Sequence, residues 1–252
     1  MASKTLKEIK SLNPKLEKVF NKLISRLLSS HLIGSTLVEG STLTESEAKK
    51  VLEGQSIYGH VIDEHLELVN GKNAASYLHR VFFEKQIISN IQIDKTHSLL
   101  FESFGNVHKT HPGENRGENG NAAYTILLKS SKQIKFNYSH PQIIRQEYNP
   151  FINYHINKPL TENKKEFSLR LAQLYFQFQM LHPYNDGNGR IGRFLISAKV
   201  ASELAKFFRF EVSDGPEHLS IMMEMTYQYS KNKDKVEHKK LVKFIDQHLE
   251  DI

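Results

Sequence analysis

A polar, glycine-containing stretch at residues 181–194, LHPYNDGNGRIGRF, carries several side chains that can do chemistry. They are a histidine that can take up a proton near neutral pH, a carboxylate, an amide and two guanidinium groups: His182, Asp186, Asn188, Arg190 and Arg193. A turn between two helices usually needs only one glycine, at the end of the first helix. The composition of this stretch therefore indicates a functional site rather than a plain turn.

Gly187 and Gly189 lie where a helix is expected to begin, at about residues 188–190. Pro183 cannot continue the preceding helix, which is predicted to end at His182, because proline has no backbone N–H. A helix start without Cβ atoms exposes backbone N–H groups, and these donors and the helix dipole both attract negative charge. The spacing therefore predicts an anion site at the start of the second helix.

Arg190 and Arg193 are three residues apart and share one face of that helix. Guanidinium groups bind phosphate oxygens bidentately, so the pair extends the anion site to further phosphates. The carboxylate of Asp186 would repel a bound anion unless a cation bridges the two. Mg²⁺ can bridge a carboxylate and a phosphate with few protein ligands. Each of these residues taken singly is more often part of a turn or a cap. Together with His182 as a base, they favour a nucleotide site.

Helical periodicity dominates the rest of the chain. Apolar residues at helical spacing predict a buried helix that ends at the histidine: Phe167, Leu171, Leu174, Phe178 and Leu181. Further helices are predicted within residues 59–83, 95–104, 193–208 and 214–229, the last with Pro216 near its start, and after a capping-box pair, Thr44 and Glu47. One more apolar face predicts a helix near the N-terminus: Leu16, Phe20, Leu23, Leu27 and Leu28.

Two segments depart from the helical pattern. Residues 105–122 are rich in glycine and asparagine and predict a loop, in which His108 and His111 lack a third ligand, so no metal site is expected there. In residues 124–139 the apolar residues from 134 to 138 alternate with polar ones, which predicts a short β-hairpin. The predicted fold class is all-α with one small hairpin.

The segment HPYNDGNGRIGR, residues 182–193, resembles the signature of the Fic family, His-Pro-Phe-x-Asp/Glu-Gly-Asn-Gly-Arg-x-x-Arg. It departs from that pattern only at Tyr184, which keeps an aromatic ring. The resemblance implies a Fic-type helical domain in which the hairpin is the flap. We accordingly divide the chain into an N-terminal helical segment (1–59), a Fic catalytic domain (60–210) and a C-terminal helical extension (211–252).

The resemblance also implies an activity, the transfer of AMP from ATP to a Tyr, Thr or Ser hydroxyl of a target protein and of the chain itself. It implies that His182 is the base and that Asp186 is the Mg²⁺ ligand. The nucleotide-binding residues that it implies are Gly187, Asn188, Gly189, Arg190 and Arg193, with the last on the γ-phosphate. The target protein would dock on the flap, residues 124–139, by strand addition.

Residues 29–44, SSHLIGSTLVEGSTLT, resemble the inhibitory segment of Fic proteins, Ser/Thr-x-x-x-Glu-Gly/Asn, with Ser35, Glu39 and Gly40 at its positions. The resemblance implies that Glu39 pairs with Arg193 and keeps that guanidinium from the γ-phosphate. The fuller family pattern continues with Asn, whereas this chain has Ser41. The alternative interpretation is a helix that ends in a glycine cap after an exposed glutamate.

The composition limits the classes of function. The 252 residues include no cysteine, which excludes disulfides and thiolate chemistry, and no run of about 18 apolar residues, so we expect a soluble, cytoplasmic protein. The net charge of +6 invites a nucleic-acid partner, but the densest basic piece, residues 231–243, is predicted to be a solvated helix face. Membrane and nucleic-acid partners are therefore not expected, and a homo-oligomer is left open.

Two alternative functions stay open at this point. The first keeps the same site but uses another nucleotide or phosphodiester donor, or removes AMP with a water molecule. The second is a non-catalytic basic protein that binds nucleotides or nucleic acid. His182 discriminates between catalysis and binding, because a pure binder needs no base at that position.

Overall fold

The computed structural model describes residue 18 and residues 30–84, 87–102, 111–116, 123–127, 133–161 and 163–251. Most of this part of the chain is helical, which confirms the predicted all-α class. The helices are α1 (Leu32–Leu37), α2 (Glu45–Leu52), α3 (Ile62–Phe83), α4 (Asn90–Leu100), α5 (Pro141–Phe151), α6 (Lys164–Leu181), α7 (Asn188–Leu204), α8 (Gly215–Lys231) and α9 (Lys239–Gln247). A π-helical turn follows α5 at Ile152–Ile156, and 3₁₀ turns at Val212–Asp214 and Lys233–Lys235 flank α8.

Four short strands form two antiparallel pairs in the described residues. β1 (Ala123–Leu127) pairs with β2 (Gln133–Asn137), with Thr125 opposite Lys135, so the predicted hairpin is confirmed. A second pair joins β3 (Lys206–Phe208) to β4 (Leu249–Asp251). The sequence did not predict this second sheet.

The helix predicted to run through residue 208 is wrong at its end. α7 stops at Leu204, and Ala205 turns the chain with a left-handed backbone, at φ 51°. Phe207 and Phe208 then lie in β3 and are buried. Their strand partner follows α9, far along the chain, so no local apolar spacing distinguishes this strand from one more helical turn.

α6 and α7 form the centre of the fold and position the polar stretch between them. The five apolar residues that predicted α6 are all buried, which confirms the stripe. α7 is buried along almost its whole length and packs against α6 and α3. The C-terminus of α6 and the N-terminus of α7 therefore meet inside the protein, and the loop between them is held on both sides.

The predicted inhibitory segment begins in α1, whose six residues are all buried, and Glu39 and Gly40 lie in the turn that follows the helix. It packs against α3, α7 and the 3₁₀ turn that precedes α8. The following helix, α2, begins at a capping box in which Thr44 and Glu47 hold each other's backbone N–H groups, as predicted. This arrangement presents the end of α1, and with it Glu39, to the start of α7.

Several predictions lie partly or wholly outside the described residues. These include the N-terminal apolar face (Leu16, Phe20, Leu23, Leu27 and Leu28), His108, and most of the loop at 105–122, of which residues 111–116 are described. The division of the chain at residues 59 and 210 stays a prediction. Among the described helices, none is both long and apolar enough to cross a bilayer.

The basic piece at 231–243 was predicted as one solvated helix face, and this is wrong for its first half. α8 ends at Lys231, and Asn232 adopts an extended backbone whose side chain accepts a hydrogen bond from the N–H of Asp234. This local side-chain contact competes with helix continuation, as is usual for asparagine. Helix α9 resumes only at Lys239.

Candidate active site

The loop between α6 and α7 is shaped by the side chain of Asn188. Its Nδ2 donates to the carbonyl of Tyr184 at 2.8 Å, and its Oδ1 accepts from the Tyr184 N–H at 3.1 Å. Asn188 was predicted to hold phosphates, but its buried amide is directed at the loop backbone. Its two hydrogen bonds fix the start of α7, and its role toward a nucleotide stays a prediction.

The two glycines leave space where side chains would collide. Gly187 has a left-handed backbone at φ 76°, and a Cβ there would lie 2.5 Å from the ring of Phe101. A Cβ on Gly189 would lie 2.9 Å from the Oε1 of Glu39 and 3.3 Å from an amino group of Arg193. The first turn of α7 therefore presents bare backbone to Glu39 and Arg193, as expected for an anion site.

His182 ends α6 in a left-handed conformation at φ 49°. Its Nδ1 donates to the Gln179 carbonyl at 3.2 Å, since a carbonyl can only accept, and this leaves Nε2 as the basic nitrogen. Its ring stacks on Tyr138 at a centroid distance of 3.8 Å. Burial, followed by the charge of Arg116, lowers the pKa of His182 to about 3, so the imidazole is neutral at pH 7.

Arg193 is buried, and its guanidinium is bonded to Ser35 of α1 and to Glu39 in the turn that follows. Its Nε donates to the Ser35 Oγ at 2.7 Å, and its Nη2 donates to the Ser35 carbonyl at 2.9 Å and to the Glu39 Oε1 at 2.5 Å. Burial alone raises the pKa of Glu39, but the charges of Arg193 and Arg190 outweigh it and hold this pKa below its ordinary value. The predicted pairing of Glu39 with Arg193 is confirmed as a contact, and Gly40 ends the segment at φ 108°.

Arg190 lies beside this group with its hydrogen-bonding capacity largely unused. The side chain is 3% exposed, its guanidinium lies over the Phe101 ring at 5.0 Å, and the nearest acidic oxygens, on Glu67 and Asp186, are 3.8 and 3.9 Å away. Its Nε and Nη1 have no hydrogen-bond partner among the described residues. Buried donors of this kind are usually satisfied by a partner, and a phosphate supplies one.

Asp186 is half exposed at the edge of the site, and its Oδ1 accepts the N–H of Gly187 at 2.6 Å. In the part of the chain that the structure describes, no group of three His, Cys, Asp or Glu side chains is placed to hold a metal ion. Mg²⁺ commonly takes one or two carboxylates together with substrate phosphates and water. A single open carboxylate next to an anion site fits that pattern.

A cavity of about 830 Å³ brings these residues together. One wall is polar and belongs to the loop, α7 and α1: His182, Asp186, Gly187, Asn188, Gly189, Arg193 and Glu39. The opposite wall comes from α8 and is mostly apolar, with Leu219, Met222 and Met223 among its residues. Arg190 was predicted to share the site and lies beside Asp186, outside this lining. The cavity combines an anion-binding wall with an apolar wall that suits a planar ring.

Comparison with known proteins finds a matching family model. Residues 88–198, which include the whole loop and most of α7, match the model of the Fic/DOC family. This part of the chain is similar to Fic/DOC domains. The match agrees with the resemblance noted in residues 182–193 and with the helical fold around them.

A curated relative of this chain is the protein adenylyltransferase Fic of Nematostella vectensis, 25% identical over 170 residues. The alignment covers 67% of this chain but only 36% of that protein, so the chain spans about a third of its relative's length.

Solved structures show the same fold. A Fic domain containing signaling protein from Bacteroides thetaiotaomicron is 16% identical with a TM-score of 0.72, covering 96% of this chain and 87% of that one. Fic-1 from C. elegans is 17% identical with a TM-score of 0.67, covering 95% of this chain and 70% of the other.

Ser41, the departure from the fuller inhibitory pattern, has a defined contact. Its hydroxyl donates to Glu64 on α3 at 3.2 Å and accepts the N–H of Leu43 at 3.3 Å. Thr42 donates to the same carboxylate through its N–H at 2.5 Å and its hydroxyl at 2.9 Å. The exit of α1 is thus tied to α3, and the serine takes part in that tie.

Tyr184, the departure from the Fic signature, is fully buried and uses its hydroxyl. It donates to the Asp94 Oδ1 at 2.6 Å and lies 2.8 Å from the Tyr148 hydroxyl, while its ring stacks on His97 at 3.9 Å. His97 in turn donates to the Asp186 carbonyl at 3.2 Å. No local motif pointed to Asp94, Tyr148 or His97, because all three are distant from the loop in the chain.

We predict that Tyr184→Phe, which restores the family residue, destabilises this protein by about 1–3 kcal/mol, because it leaves the half-buried Asp94 and the buried Tyr148 without their shared partner. Urea denaturation of the purified chain measures the change. Tyr148→Phe is the matched control and should cost less, since it keeps the bond between Tyr184 and Asp94. Equal stability of Tyr184→Phe and the unmodified chain would rule out this role of the hydroxyl.

Proposed function

We propose that this protein transfers AMP from ATP to a hydroxyl side chain of a target protein and of itself. The observation that carries the proposal is one cavity that contains a neutral imidazole with a basic Nε2 and the glycine-bared start of α7. A binding protein needs only the helix start and the arginines. A buried base on the rim of the same cavity is what a transfer reaction adds.

The chemistry follows from these groups. The oxygen of the acceptor hydroxyl attacks the α-phosphorus of ATP, and its proton passes to the Nε2 of His182. The bond between the α-phosphorus and the bridging oxygen breaks, and pyrophosphate leaves. The N–H groups at the start of α7, with Arg190 and Arg193, stabilise the charge that develops on the phosphate oxygens. Negative charge from a bound triphosphate also raises the pKa of the neighbouring imidazole toward the range of an effective base.

Asp186 would hold Mg²⁺ at the edge of the cavity, where the ion when bound neutralises charge on the phosphates. The apolar residues of α8 would receive the adenine ring, since planar rings favour walls of leucine and methionine. The target protein would pair with the flap, whose two strands form an isolated antiparallel pair in the described residues. The lack of cysteine suits a reducing compartment such as the cytoplasm.

We also propose that Glu39 inhibits the reaction. Its carboxylate is paired with the guanidinium of Arg193, and both side chains line the cavity, so a γ-phosphate would have to displace the carboxylate to reach that cation. The contact is supported by two further hydrogen bonds from the same buried arginine to Ser35 of α1. While Arg193 is paired with Glu39, a bound triphosphate lacks the interaction with one of its cations. Nothing then favours the pose in which the α-phosphorus faces His182.

We predict that the purified chain gains the mass of one or more AMP groups when incubated with ATP and Mg²⁺, and that His182→Ala abolishes this gain while ATP still binds. Loss of a general base typically costs about 10²–10⁴ in rate, and the phosphate-binding groups lie elsewhere. Intact-protein mass spectrometry with parallel calorimetry of ATP binding separates the two effects. Transfer by His182→Ala at the unmodified rate would remove the histidine from the mechanism, and tight ATP binding without any transfer would favour the non-catalytic function.

We predict that Glu39→Gly accelerates self-modification about tenfold or more, because a charge-assisted bond of about 1.5–3 kcal/mol no longer occupies Arg193, with the lower value expected for a partly exposed carboxylate. A time course with labelled ATP at equal protein concentrations measures the gain. Glu39→Gln, which keeps the side-chain length, should show part of it, and Glu39→Gly combined with Arg193→Ala should show none. A rate for Glu39→Gly equal to that of the unmodified chain would contradict the inhibition by Glu39 and leave α1 with a structural role alone.

A further inference from the structure

Arg116 lies in the described segment 111–116, before the flap, and it is 4% exposed. Its Nε donates to the His182 carbonyl at 2.6 Å, and its Nη2 donates to the Ser139 carbonyl at 2.6 Å and to the Leu181 carbonyl at 3.4 Å. Its own backbone N–H donates to the Pro183 carbonyl at 2.8 Å. One residue thus joins the end of α6, the loop that follows and the end of the flap.

These contacts fall where the backbone of the candidate base needs support. A left-handed backbone is strained for a residue with a Cβ, and His182 adopts it at φ 49°. The last carbonyls of a helix also lack partners within the helix, and a cation near them is favourable. Arg116 supplies donors and positive charge to the carbonyls of Leu181 and His182, so it stabilises this particular way of ending α6.

The same guanidinium also holds the residue next to the tyrosine that stacks on the imidazole. Ser139, which accepts one of its hydrogen bonds, directly follows Tyr138, and the Tyr138 ring stacks on His182 with an angle of 6° between the planes. The imidazole is therefore held by the Gln179 carbonyl at its Nδ1 and by a tyrosine ring on its face. Arg116 fixes the backbone on both sides of that stack.

We propose that Arg116 is a positioning residue for His182, locking the end of α6 to the end of the flap so that the imidazole keeps its orientation toward the cavity. Its effect on rate rests on the proposed transfer of AMP. Its effect on the imidazole does not, because the hydrogen bonds of Arg116 are made in the protein alone.

Electrostatics add a measurable signature. Arg116 from the segment before the flap and Tyr138 from the flap end contact His182 directly. The other charged or titratable groups that line the same cavity are Glu39 from the turn after α1, Asp186 from the loop, Arg193 from α7 and His218 from α8. After burial, the charge of Arg116 is the main influence that lowers the pKa of His182. Removing that charge while keeping a donor should therefore raise the pKa.

The test is NMR titration of the histidine ring signals in the full chain without ATP, with the His182 signals assigned from the spectrum of His182→Ala. We expect Arg116→Gln to raise the pKa of His182 by about one pH unit, since a nearby like charge typically shifts a pKa by that amount or more. Arg116→Lys keeps the charge but not the forked hydrogen bonds, so it should leave the pKa low. Arg80→Gln, at an exposed arginine of α3, is the matched control and should change nothing.

Self-modification with ATP and Mg²⁺ supplies the second readout. Both Arg116 variants should lower kcat about tenfold or more with little change in the KM for ATP, because a misplaced base slows the step without weakening phosphate binding. An unshifted His182 pKa in Arg116→Gln, or an unchanged kcat in Arg116→Lys, would overturn the proposal. If the unmodified chain transfers no AMP at all, the proposed function fails, and the titration still decides whether Arg116 controls the imidazole. Should Arg116→Gln fail to fold, Arg116→Lys decides through its kcat.

Discussion

The buried guanidinium of Arg193 is the constraint on which much of this structure depends. A guanidinium remains charged at any pH the protein meets, so an arginine this deep in the fold needs an anion and several acceptors. In this chain α1 and the turn after it supply them, with the Glu39 carboxylate and the hydroxyl and carbonyl of Ser35 all bonded to the same side chain. The position of α1 against α3 and α7 therefore depends on the charge of Arg193. The inhibition proposed above follows from the same requirement, because a phosphate is another anion that would satisfy it.

A second set of contacts determines the geometry on the opposite side of the cavity. Asn188 holds the loop between α6 and α7 from within, and Arg116 holds it from the segment before the flap. A third contact is the hydroxyl of Tyr184, which bonds to Asp94 and Tyr148. Each of these contacts joins elements that are distant in sequence. Two sets of contacts thus bound the cavity, one around His182 and one around Arg193, and under the proposed inhibition only the second would compete with a bound phosphate.

The parts of the fold and site that could be predicted from the sequence are those that depend on the spacing of neighbouring residues. The apolar stripe of α6, the capping box of α2 and the helix start at Asn188 each occupy a few neighbouring residues, and the structure has all three. The pairing of Glu39 with Arg193 spans most of the chain and was predicted only because each partner belongs to a recognisable motif. Arg116 and Asp94 lie outside any motif, and the strand pair of β3 with β4 depends on a partner far away, so nothing local distinguished them. Asn188 was assigned to the ligand because its position in the motif is clear, whereas the direction of its side chain depends on Tyr184 four residues earlier.

The central claim is that Glu39 and the γ-phosphate compete for Arg193, and the most direct measurement compares the affinities of ATP and ADP. Calorimetry in the His182→Ala background avoids turnover, and the comparison is made with Glu39 present and with Glu39→Gln. The account predicts that ATP and ADP bind alike when Glu39 is present, because the γ-phosphate finds its cation occupied, and that Glu39→Gln gives ATP an advantage of about tenfold over ADP, the equivalent of about 1.4 kcal/mol. An ATP-to-ADP ratio that is the same with and without the carboxylate would contradict it.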